Sequence, residues 1–150
     1  MKKNNNKNQN NFFSQNIQKN GENFLDLKNS RTMQRDAPRI FREIARGNID
    51  LLKYGHYFLD MQFLESLIVT ANNEFIFHNI SYAGVMNLIA SATMHREQVD
   101  VAVTQVLETH KRRAEAYNII FNYLTMLKNT RDLNYIYALA NNLSPYKFDL

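Results

Sequence analysis

The sequence has no cysteine, only four glycines and only two prolines among its 150 residues. Without cysteine there is no disulfide, no thiolate zinc site and no cysteine nucleophile, a composition suited to a reducing compartment. Scarce glycine and proline leave little turn chemistry for hairpin-rich sheets, which favours helices. Met1 is followed by Lys2, Lys3 and a run of asparagines rather than an apolar stretch, so no secretory signal is expected. The expected setting is the cytoplasm or the inside of a viral particle.

Signatures of catalysis are missing as well. None of the patterns G-x-S-x-G, G-x-x-x-x-G-K-[ST], G-x-G-x-x-G or H-E-x-x-H occurs. His56 with Asp60, and Glu74 with His78, are spaced one helical turn apart. Such pairs are weak metal candidates, because neighbouring residues at that spacing commonly just hydrogen-bond on a helix surface. His95 and His110 have no matched nucleophile in the sequence. The expectation is a non-enzymatic protein without cofactor or metal.

Charge is absent from one further place. Residues 75–94 contain no Asp, Glu, Lys or Arg, a span long enough to cross a bilayer. The same span holds His78, Asn79, Ser81, Tyr82, Asn87, Ser91 and Thr93, which suit a buried segment of a water-soluble protein better than a lipid-facing one. No membrane role is expected.

What is present divides the chain in two. Residues 1–35 are rich in Asn, Gln, Lys and Ser, and carry seven basic residues against two acidic ones. The remainder has eleven basic and twelve acidic residues, so the formal net charge of +4 belongs to this arm. Its few apolar residues cannot offset the entropy of ordering it alone. Phe12, Phe13, Phe24 and Leu25 are its candidate anchors on a partner.

Residues 36–150 are expected to form a helical domain. Asp36 stands before a helix with Pro38 in its first turn, Ile40, Phe41, Ile44 and Ala45 on its inner face and Gly47 as its stop. A second helical stretch spans about 49–72 and is interrupted near Gly55. Residues 74–80 fit either a short strand or more helix, with Ser81 as the cap of a further helix. The clearest element spans about 97–128, where Val99, Val103, Val106, His110, Arg113, Tyr117, Ile120, Leu124 and Leu127 alternate by four and three. This seam is interrupted by His110 and Arg113. A closing helix over about 131–142 begins at Thr130 and stops before Pro145. The fold class is all-α: a single helical-bundle-like domain with one long helix in its C-terminal half and an extended N-terminal arm.

Two basic groupings suggest contacts. Arg39, Arg42 and Arg46 form a stripe on the first helix, suited to gripping phosphates or carboxylates, though a solvated face explains it as well. Lys111, Arg112 and Arg113 sit between Glu108 and Glu115, which suits local charge pairing better than a binding site. The eight tyrosines all lie in the body, where helix packing and protein interfaces explain them with less strain than base stacking.

Two functional classes follow. The first is a structural or adaptor component of a larger assembly, such as a virion, docking protein subunits or copies of itself through its helical body and arm. The second is a nucleic-acid-binding protein using the arm and the arginine stripe, with weak binding expected because the body is near neutral.

Overall fold

The computed structural model describes residues 35–48 and 50–146. They form α1 (Ala37–Ala45), a single turn α2 (Leu51–Tyr54), a 3-10 segment (Gly55–Leu59), α3 (Met61–Met94), α4 (Val101–Thr130), α5 (Asn134–Leu143) and a closing 3-10 turn (Ser144–Tyr146). Among the described residues there is no strand, and the all-α expectation holds. Phe12, Phe13, Phe24 and Leu25 lie outside the described residues, as do residues 147–150.

The first helix starts and stops largely as its residues dictate. Pro38 occupies its first turn, where its missing N–H costs nothing. Gly47 adopts φ +78, and its N–H donates to the Ile44 carbonyl at 3.0 Å while that of Asn48 donates to Glu43 at 2.9 Å. These two bonds form a Schellman closure, and the left-handed residue at its centre is best served by glycine. Asp36 stands at the N-cap position but makes no cap bond with its side chain; its carboxylate binds Arg39 and Arg35 instead.

The expected interruption near Gly55 is a change of helix type from α2 into the 3-10 segment. An atom added at Gly55 would meet the Tyr137 hydroxyl at 3.4 Å, so the absent side chain lets α5 pack closely. Asp60 then opens α3, accepting from the Phe63 N–H at 2.9 Å.

From Asp60 the chain runs without a break for 34 residues, about 50 Å of helix. Residues 74–80 are therefore helical, and Ser81 lies inside a helix rather than capping one. Ala71, Phe75, His78, Tyr82, Val85 and Ile89, spaced by four and three, are all buried or partly buried. That spacing is the coiled-coil period, and α3 and α4 pack together as an antiparallel hairpin. The helix ends in another Schellman closure, with Arg96 left-handed at φ 61 and Glu97 donating to the Ala92 carbonyl at 2.8 Å. Asp100 caps α4 through the Ala102 N–H at 3.0 Å.

The core lies at one end of this hairpin. Ile40 and Phe41 of α1, Phe58, then Phe63, Leu64 and Leu67 of α3, Ile120, Leu124 and Leu127 of α4, and Ile136 and Leu139 of α5 are buried together. Burying each such side chain is worth about 1.5–3 kcal/mol, so this base supplies most of the stability. Between Ala71 and Ala114, only His78 and Leu107 are buried among the described residues. The outer half of the hairpin is thus two helices resting on each other.

Candidate docking surface and the histidine pair behind it

The two helices of the hairpin present very different outer surfaces. On α4 the exposed residues include Glu108, Lys111, Arg112 and Glu115 in its middle, with Val101 and Val106 exposed near its start. On α3 the face turned away from α4 carries Ile76, Ile80, Leu88 and Met94, with exposed Phe77 at its edge beside His110 and no charged residue between positions 75 and 94. Ile80 is 67 % exposed, Leu88 65 % and Met94 80 %. A helix apolar on all sides is normally buried on all sides. Here α4 covers one side only.

The charge-free run was expected to be buried, and the structure leaves its far side open. No helix among the described residues is long and apolar enough to cross a membrane. Exposed Asn79, Asn87 and Ser91 are interleaved with these apolar residues, but apolar residues recurring at helical spacing without charge suit a contact surface better than singly scattered ones. The sequence signal was available: a charge-free stretch whose apolar residues fall on both sides of the helix needs two partners, and only one is found among the described residues.

Gly84 lies in the middle of this stripe, next to Ala83. Glycine inside a helix costs roughly 0.5–1 kcal/mol relative to alanine. A side-chain atom added at Gly84 would meet nothing within 4 Å, so no contact among the described residues requires it.

Behind the stripe, the hairpin interface contains a polar element. His78 is 4 % exposed, and its Nδ1 lies 3.0 Å from Nδ1 of His110 on α4. One ring must carry a proton there and the other must not. Glu74 places Oε1 at 3.7 Å from the other nitrogen of His78, favouring a proton on that side. Either ring can be the donor, according to its tautomer. The His78 ring stacks on buried Tyr117, with centroids 5.9 Å apart, and the edge of Phe77 meets both histidines.

Burial first, then the charges of His110 and Arg113, lower the pKa of His78 to about 4. It is therefore neutral near pH 7. Burial above all pushes the Tyr117 hydroxyl up to about 12. Among the described residues no three His, Asp or Glu side chains converge as a metal site. The His56–Asp60 pairing does not form as a helix-surface pair, because Asp60 caps α3 and the His56 ring packs beside Tyr57 at 4.3 Å.

The arginine stripe is partly committed within the chain. Arg39 Nη2 donates to Asp36 at 2.7 Å, and Arg46 Nη1 donates to Glu43 at 2.8 Å. Glu43 is 1 % exposed and also accepts from Asn48 Nδ2 at 2.7 Å. Arg42 is partly buried. Arg39 and Arg46 thus fasten the two ends of α1, a role invisible without the fold. The second basic group is dispersed: Arg112 donates to the Pro145 carbonyl at 2.9 Å and lies over the Tyr146 ring, while Arg113 is partly buried and close enough to affect His78.

No protein-family model, no curated protein and no solved structure matches the chain, so the surface chemistry of the hairpin is the basis for assigning a role.

Proposed function

We propose that the protein is a structural or adaptor component of a protein assembly, which it joins through the charge-free outer face of α3. The observation that carries this reading is the uncharged span of α3: α4 sets Glu108, Lys111, Arg112 and Glu115 in solvent beside its exposed valines, while residues 75–94 of α3 expose Ile76, Phe77, Ile80 and Leu88 with no charge among them. Water disfavours exposed apolar area by about 25 cal/mol per Å², so a second protein surface on this face stabilises both partners. The arm contributes a second attachment, with Phe12, Phe13, Phe24 and Leu25 as its anchors.

The rival reading, nucleic-acid binding, draws on the positive charge of residues 1–35. It gains less from the body, because Arg39 and Arg46 already hold Asp36 and Glu43. Binding carried by the arm is expected to be sequence-blind and to fall steeply with salt.

A photo-crosslinking amino acid at position 80, compared with one at position 108, separates these readings in cells producing the protein. The expected result is a protease-sensitive adduct at 80 and none at 108. No adduct at 80, or a nuclease-sensitive one, overturns the docking role. Mixed-sequence RNA held tightly at physiological salt would promote the rival.

A further inference from the structure

We infer that the occupant of the α3 face is the same face of a second copy, with the two α3 helices antiparallel about a two-fold axis at Gly84. This rests on the docking role just proposed and names its partner. Three observations select a second copy over other occupants.

The first is charge. A face without Asp, Glu, Lys or Arg over residues 75–94 offers nothing to a nucleic acid, an acidic peptide or an anionic surface. It meets its own copy without like-charge repulsion, as a self-complementary interface requires. The charged outer side of α4 stays in water in such a pair.

The second is Gly84. Its missing side chain leaves open space outside the helix, with exposed Ala83 beside it. Glycine permits another backbone to approach closely, and none among the described residues does so there. A crossing of two helices at this point gives the residue a use.

The third is the order of residues about that point. Ile80 lies four positions before Gly84 and Leu88 four after; Phe77 lies seven before and Ser91 seven after. All four are exposed. An antiparallel pair centred on Gly84 therefore sets Ile80 of each copy against Leu88 of the other, and Phe77 against Ser91. Ile80 meets a residue of similar size and Phe77 a small one, and the two contacts are repeated by symmetry. The stripe is about 30 Å long and one helix wide, which places the interface at the small end of specific contacts. The dimer is accordingly a concentration-dependent one.

The test uses the full chain, whose lack of cysteine makes single introduced thiols unambiguous. Sedimentation equilibrium should show a monomer–dimer equilibrium. Ile80→Asp with Leu88→Asp should give a monomer whose circular dichroism is unchanged, because both residues are exposed. Mild oxidation should link Gly84→Cys into a covalent dimer and leave Glu108→Cys unlinked. Register is checked by Ile80→Cys and Leu88→Cys, which should link when mixed and fail to link alone, since each lies about 12 Å along the helix from its own mate. A wild-type monomer at every concentration overturns the second copy. A dimer that survives the double Asp variant, or that forms no disulfide at position 84, overturns this face and register. If the chain is monomeric and position 80 still crosslinks to protein in cells, docking stands and only the identity of the partner falls.

Discussion

His78 and His110 meet across the hairpin with their Nδ1 atoms 3.0 Å apart, and this contact holds only while one of the two atoms carries a proton and the other does not. The contact sits where the apolar seam of α4 is interrupted, and it gives that interruption a partner on α3.

Acid should therefore loosen the hairpin. The pKa of His78 is about 4 in the fold and 6.5 in an unfolded chain, so the unfolded state takes the proton first as pH falls. The stability His78 contributes is fully present above about pH 6.5, declines between about 6.5 and 4, and is gone below that window. The full linkage is on the order of 1–3 kcal/mol once residual solvent access is allowed for. Urea midpoints at several pH values should show this slope, and His78→Gln should flatten it. An unchanged slope in the variant would assign the pH dependence to other groups.

Removing Arg46 should destabilise α1 although it lies on the surface. Its partner Glu43 has a side chain only 2 % exposed, so Arg46→Ala leaves a buried carboxylate without this cation. Because Arg46 itself is about one-third exposed, the expected loss is about 1–3 kcal/mol rather than the value for a fully buried pair. Glu43→Gln should cost less, since no buried charge remains. The comparison is made by chemical denaturation of both variants.

Truncation of residues 1–35 should leave a cooperatively melting helical protein. Among the described residues the buried cluster runs from Ala37 through α5. A melt followed by circular dichroism checks this. A non-cooperative transition would mean that the arm completes the core.

Hydrogen exchange should divide the hairpin in two. Amides of residues 64–71 and 116–127 belong to helices packed in the base and should exchange slowest. Those of residues 80–106 lie where little side-chain area is buried and should exchange faster at low protein concentration. Uniform protection along both helices would show that the outer half is not a separate unit of stability.

The seam of α4 shows how far pattern reading carries. Tyr117, Ile120, Leu124 and Leu127 are buried as their spacing predicts. Farther out, Leu107 and Ala114 are buried while Val106 is 45 % exposed. A straight helix with 3.6 residues per turn drifts by about 20° per heptad, so a strict four-three reading slips one position over this length. Residues 74–80 were ambiguous for another reason: Phe75, Ile76 and Phe77 are as apolar in a strand as in a helix. Packing on α4 settled the matter, because the helical spacing brings Phe75, His78 and Tyr82 to one side.

By itself, the sequence determined the all-α class, the helix that follows Asp36, the stop at Gly47, the break at Gly55 and the absence of charge from residues 75–94. These follow from local backbone preferences and side-chain composition, which act within a few residues. Only the tertiary structure decided that His78 finds His110, that Arg46 holds a buried Glu43, and that α4 covers one side of α3 and leaves Ile80 and Leu88 open. Each of these depends on where a distant segment comes to rest, and a distant contact leaves no periodic mark in the sequence around either partner.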